Sequence, residues 1–142
     1  MSTETLPAHV DAALYAKVRA CFAEALGLDE EEVTWSSRVM ADLGAESIDF
    51  LDIAFRLERA FDIRIPRGGV EKASRDGLAE GESYEVNGVL TPAALERLAE
   101  HMPEVPRAEF KVGLKVSEVP ALWRVGTFYN IVIRLLAEKQ AA

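Results

Sequence analysis

The 142-residue sequence predicts a mainly α-helical fold. Three observations carry that prediction. Apolar residues recur at three- and four-residue steps in four separate segments. Helix-stop residues stand after three of them: Gly27, Pro66, and the pair Pro103 and Pro106. A strand-like alternation is confined to the region between residues 84 and 118, where a small β element is expected. With nearly half its residues apolar and 28% charged, the chain has the composition of one folded domain with a sizeable core.

The first helix is expected over residues 7–26, with Leu14, Val18, Cys21, Phe22 and Ala25 on one stripe and Gly27 as terminator. Cys21 falls in that stripe and reads as a small core residue. Residues 29–45 form a connection too long to be left free, so Val33, Trp35, Val39 and Leu43 are expected to pin it to the core. Gly44 supplies a turn, a second helix runs over residues 47–61, and Pro66 closes the segment. Residues 67–82 are polar, with glycines at 68, 69, 77 and 81, and read as loop. The sequence "YEVNGVL" predicts a tight hairpin around Asn87-Gly88. Thr91-Pro92 is a helix start, a capping hydroxyl followed by a proline at the first helical position. Phe110, Val112, Leu114 and Val116 alternate with Lys111, Gly113 and Lys115, a strand-like period. A last helix over residues 122–138 places Val125, Phe128, Tyr129, Val132, Leu135 and Leu136 on one wide face.

The second helix has two apolar sides. At about 100° per residue, Phe50, Ile53, Ala54, Leu57 and Phe61 cluster as a core stripe. Ile48, Leu51 and Phe55 cluster roughly opposite, rimmed by Asp42, Glu46, Asp49, Asp52, Glu58 and Asp62. Sequestering each of those three is worth about 1.5–3 kcal/mol, so a cover is expected. Either the sequence after Pro66 lies over them, or a partner protein docks there. Ser47 stands at the start of this helix. It can serve as N-cap, although the Glu or Gln that would complete a capping box with it is absent from position 50. Alternatively its hydroxyl carries a phosphate ester, which would face unpaired amides and the positive end of the helix dipole.

A net charge of −8 argues against nucleic acid and anionic lipid as partners and suits docking on basic protein surfaces. The single cysteine rules out an internal disulfide and fits a reducing compartment. No basic segment followed by an apolar run opens the chain, and no apolar run is long enough for a membrane span, so a cytoplasmic protein is expected. His9 and His101 stand outside any catalytic motif, one Cys and two His give no zinc spacing, and "GGVEKASRDG" lacks a P-loop ending. An enzyme is therefore not expected.

"DLGAESIDFLDIAFRLERAFDIRIP" resembles the second-helix signature of acyl carrier proteins: an Asp42-Leu43-Gly44 turn, then Glu46-Ser47-Ile48. "LYAKVRACFAEALGLDEEEV" suits that family's first helix, and "RVGTFYNIVIRLL" resembles its last. The resemblance covers residues 10–66 and 119–137 and implies an acyl-carrier-like helical bundle. The whole chain then reads as a single carrier domain with core 8–66 and 119–138. An insertion at 67–118 is partly ordered, holding one extra helix and the short β element. The resemblance implies that a phosphopantetheinyl transferase attaches 4′-phosphopantetheine to Ser47, and that the arm holds an acyl group as a thioester. Acyl-transferring or condensing enzymes of fatty-acid-like or specialised lipid or polyketide biosynthesis would dock on Ile48, Asp49, Leu51, Asp52 and Phe55. A monomer is expected. Glu46 replaces the family's usual aspartate, and Arg56 and Arg59 stand where family helices are more often acidic. Arg64, Arg67, Lys72 and Arg75 extend that basic run, which is either solvated surface or a selector of unusual partners. Ala45 stands where aminoacyl carriers often have a second glycine, closer to the fatty-acid type. The rival reading is an unmodified carrier-like interaction module, with Ser47 as a cap and the stripe a permanent interface.

Overall fold

The computed structural model describes residues 6–65, 78 and 80–141. The chain divides into two compact units, one of residues 1–65 with 123–142 and one of residues 66–122. Most of the loop expected at 67–82, including Arg67, Lys72 and Arg75, lies outside the described residues.

In the first unit, helix α1 spans Ala12–Leu26. It starts five residues later than its periodicity predicts, because Asp11 caps it: Ala13 and Leu14 N–H donate to Asp11 Oδ1 at 2.9 and 3.1 Å. Gly27 ends it at φ 67°, the left-handed conformation that glycine adopts without a Cβ penalty. Helix α2 spans Ser47–Phe61. The buried faces of these helices meet a C-terminal helix, Val125–Ala141. Val18, Phe22, Ile53, Leu57 and Val132 have no exposed surface, and Tyr129 has 1%. Truncating any of the aliphatic members to alanine would cost about 2–5 kcal/mol for Leu or Ile. Asp11 N–H also donates to the Tyr129 hydroxyl at 2.8 Å, tying the start of α1 to the last helix.

The connection between α1 and α2 is pinned as expected, with Val33 and Val39 fully buried and Trp35 8% exposed. Its second half runs antiparallel to the chain entering the C-terminal helix. Val39 N–H donates to Trp123 C=O (3.0 Å), Val125 N–H to Ser37 C=O (3.1 Å) and Gly126 N–H to Trp35 C=O (3.0 Å).

The second unit contains the hairpin of strands β1 (Glu85–Val86) and β2 (Val89–Leu90), paired antiparallel. Asn87 and Gly88 both have positive φ, 52° and 82°, as a tight two-residue turn of this type requires. Helix α3 spans Pro92–His101, and Ala94 N–H donates to the Thr91 hydroxyl at 3.2 Å. Ala94, Leu95, Leu98, Ala99 and Met102 are buried. The alternation at residues 110–116 does not make a full strand. Gly113 turns the backbone at φ 99°, Val112 is left 86% exposed, and only a bridge of Lys115 to Val89 survives. A 3₁₀ helix at Val116–Leu122 follows. The C-terminal helix is α4 in chain order. The protein is thus mainly helical with a small two-stranded sheet.

Candidate functional site

The turn ahead of α2 is closed by its own backbone. Asp42 and Leu43 N–H both donate to Arg38 C=O (2.9 and 3.1 Å), Gly44 N–H to Met40 C=O (3.1 Å) and Ala45 N–H to Val39 C=O (3.1 Å). Gly44 has φ 75°, so the turn needs glycine there. The Asp42 carboxylate accepts from Arg38 N–H at 2.8 Å and pairs with Arg38 Nε at 3.5 Å. That backbone bond is the main reason its carboxyl sits below the usual carboxylate range.

Ser47 is not the N-cap. Glu46 holds that position in extended conformation, and Ser47 is the first helical residue. Glu46 forms the capping box with Asp49, whose Oδ2 accepts from Glu46 N–H at 2.7 Å. The box therefore exists one residue earlier than a serine cap would place it. Ser47 is exposed, and among the described residues its hydroxyl makes no hydrogen bond.

The two sides of α2 separate as the wheel predicts. Ile53, Leu57 and Phe61 are buried, with Phe50 and Ala54 partly so. Ile48, Leu51 and Phe55 are 72%, 47% and 59% exposed. Asp49 and Asp52 are half-buried beside them, the first engaged by Glu46 N–H and the second by Arg56 Nε at 3.1 Å. An exposed, unengaged hydroxyl thus stands at the head of an uncovered apolar stripe with carboxylates along it.

A family described as "Phosphopantetheine attachment site" matches residues 16–70, a span that contains Ser47. An acyl carrier protein of Thermotoga maritima is 34% identical over 64 residues, 45% of this chain and 79% of that protein. One of Clostridium acetobutylicum is 38% identical over 64 residues, 45% of this chain and 83% of its own length. The acyl carrier protein AcpXL of Brucella melitensis is 37% identical over 68 residues, 48% of this chain and 73% of its own length. The chain belongs to the acyl carrier protein family. It is a phosphopantetheine carrier protein, and 4′-phosphopantetheine is its covalent cofactor.

The residues of this carrier fit such a group at the head of α2. The Ser47 hydroxyl is open to solvent, and the first amides of a 15-residue helix favour a phosphate. The carboxylates of Glu46 and Asp49 already complement part of that dipole, so the electrostatic gain is smaller than at a bare helix end. The two arginines on α2 have separate fates. Arg56 is held between Asp52 and Glu24, both at 3.1 Å, which bridges α1 and α2. Arg59 is exposed beside Lys17, which lies over the Phe61 ring at 5.7 Å. Cys21 is buried next to them, and desolvation pushes its thiol pKa up, as befits a core residue. Among the described residues no helix is long and apolar enough to cross a membrane. Sequence reading missed the Glu46–Asp49 box. The signal for it is an acidic residue followed three positions later by another, "ESID" from Glu46 to Asp49.

Proposed function

We propose that Ser47 is the residue that bears the 4′-phosphopantetheine arm, and that the chain carries an acyl intermediate there for partner enzymes. When bound, the arm supplies a thiol that holds the acyl group as a thioester. The observation that supports this most is the exposed Ser47 hydroxyl, released from capping by the Glu46–Asp49 box. The protein's own part is to hold that hydroxyl where a phosphopantetheinyl transferase reaches it, and to raise the local concentration of the cargo at each enzyme it docks on. Ile48, Leu51 and Phe55 form the apolar centre of the docking surface, with Asp49 and Asp52 as its charged rim. Acyl-transferring and condensing enzymes of fatty-acid-like or specialised lipid or polyketide pathways are its partners, in the cytoplasm, with the carrier as a monomer. We further propose that residues 8–66 and 119–138 are the carrier core and that residues 67–118 are an insertion restricting cargo or partner choice.

Intact mass after incubation with coenzyme A and a broad-specificity phosphopantetheinyl transferase tests the reading. One phosphopantetheinyl addition, lost in Ser47→Ala, is expected. No addition to the wild-type chain would favour the unmodified interaction module. Replacing the insertion by a short loop is expected to change partner choice, and unaltered turnover by its native enzymes would remove its selective role.

A further inference from the structure

Along the edge of α2 that faces α1, the charged residues follow one another as Asp49, Asp52, Arg56 and Arg59. They flank the exposed stripe of Ile48, Leu51 and Phe55, and Arg59 stands one turn beyond Phe55. Their charges are not equally available. Asp49 accepts from the Glu46 N–H and forms no ion pair among the described residues. Asp52 and Glu24 are both taken by Arg56, at 3.1 Å each. Arg59 is exposed and, among the described residues, makes no hydrogen bond or ion pair. The acids near it are engaged elsewhere: Asp62 pairs with Lys139 Nζ at 2.8 Å, and Glu58 accepts from Ile65 N–H at 2.8 Å. Lys17 of α1, also exposed, lines the same cleft as Arg59 and rests over the Phe61 ring at 5.7 Å. Its neighbours one turn away on α1 are Ala13, Leu14, Ala20 and Cys21, so no acid there answers its charge. The edge thus runs from negative at Asp49, through the ion-paired Asp52, Arg56 and Glu24, to positive at Arg59 and Lys17.

We infer that the positive end, Arg59 with Lys17, binds a carboxylate side chain of the docking enzyme. The inference rests on the reading of Ile48, Leu51 and Phe55 as the docking surface. A rise of about 1.5 Å per residue puts Arg59 about 15 Å along α2 from Asp49. A partner that fits presents a base near Ser47, an apolar contact at the middle and an acidic residue at the far end. Two cations converge on one cleft beside an apolar stripe, and the chain supplies no acid of its own to neutralise them. A partner with bases throughout is what a net charge of −8 would otherwise attract. It meets like charge at Arg59 and Lys17 and is disfavoured there. Ends of opposite sign also fix which way round a partner lies on α2, and so which part of it comes to Ser47.

The experiment uses the full-length chain and two fluorescein-labelled amphipathic helical peptides with the same leucine face. One carries a lysine pair at one end and a glutamate pair at the other; the second carries lysine pairs at both ends. Affinities come from fluorescence anisotropy at low and high salt. The wild-type chain is expected to bind the lysine–glutamate peptide about threefold tighter, against the pull of its net charge, and the preference should shrink at high salt. Arg59→Glu is expected to reverse the preference. Equal affinities for wild type, tighter binding of the all-lysine peptide, or an unchanged preference in Arg59→Glu would each overturn the inference. Should Arg59→Glu not fold, the neutral Arg59→Gln decides: a preference as large as that of wild type overturns it. Phe55→Ser is expected to weaken both peptides alike. Binding of neither peptide to wild type, or full binding of both by Phe55→Ser, would instead count against the stripe as the docking surface.

Discussion

Gly126, the second residue of α4, has no room for a methyl group. A Cβ built there would lie 2.6, 2.8 and 2.9 Å from Trp35 Cε2, Cζ2 and Cδ2. Ordinary carbon–carbon contact is about 3.5–4.0 Å, so the indole must move by roughly an ångström. It has little freedom to do so. Trp35 is 8% exposed and ringed by His9, Tyr15 and Tyr129 at centroid distances of 5.8, 6.0 and 5.4 Å. Gly126 cannot retreat either, because its N–H donates to Trp35 C=O at 3.0 Å. Overpacking of this kind costs about 1–3 kcal/mol. Against it stands the gain of alanine over glycine in a helix, at most about 1 kcal/mol and less in a first turn. Gly126→Ala should therefore destabilise by about 1–2 kcal/mol, lowering Tm by roughly 3–7 °C. Thermal and urea unfolding followed by circular dichroism give the number. In a Trp35→Phe background, which removes the part of the indole that the methyl group meets, the same substitution should cost at least about 1 kcal/mol less. A Gly126→Ala protein as stable as wild type, or a cost independent of residue 35, would show that the Trp35–Gly126 contact does not fix the connection to α4.

Three further outcomes follow from separate parts of the molecule. Phe55→Ser removes a 59% exposed ring and should change stability by no more than about 0.5 kcal/mol; if the stripe docks enzymes, transferase KM should rise about tenfold, and an unchanged KM would exclude Phe55 from the interface. Asp62 is held below the usual carboxyl range, first by the hydrogen bond from Lys139 Nζ at 2.8 Å and then by its charge. A depressed folded pKa means stability that is complete above the unfolded value, about 4, and lost as pH falls through the folded one; Asp62→Asn should flatten that acid limb in urea titrations, and an identical pH profile would refute the assignment. Asn87 sits at φ 52°, so Asn87→Ala should weaken the hairpin by about 1 kcal/mol while Asn87→Gly is tolerated, read from hydrogen exchange of the Leu90 and Val116 amides.

What the sequence made legible was local. The division of α2 into a buried and an exposed stripe follows from helical period alone, and Ile53 at 0% against Ile48 at 72% shows how cleanly it separates. Thr91-Pro92 and Asn87-Gly88 are codes confined to two residues, and each sits where it was expected. Failures came where a local pattern met a backbone constraint or a distant residue. The alternation of Phe110 to Val116 is interrupted by Gly113 in a left-handed conformation, which periodicity cannot register. Serine outranks glutamate as a capping residue in general, so the local sequence leaves Ser47 open as a cap, whereas Glu46 holds that position with Asp49 as its reciprocal partner. Trp35 against Gly126, and Arg38 beside Arg124, join residues about ninety positions apart in sequence; nothing near either residue announces the other.

The capping arrangement carries a consequence that separates the two roles once open to Ser47. Were its hydroxyl a cap, Ser47→Ala would cost about 1 kcal/mol of stability together with any loss of function. With Glu46 at the cap and Asp49 accepting from its N–H at 2.7 Å, the cap of α2 is formed without the serine. Alanine is also the better helix former at a first-turn position. Ser47→Ala should therefore unfold at the same urea concentration as wild type, or slightly higher, while taking up no phosphopantetheine. Asp49→Ala should show the opposite pattern, losing about 0.5–2 kcal/mol yet still accepting the group. A marked loss of stability in Ser47→Ala would mean that the hydroxyl is tied into the helix end in solution. The serine would then have to break a structural bond each time it reacted, and the carrier would have no free nucleophile to offer.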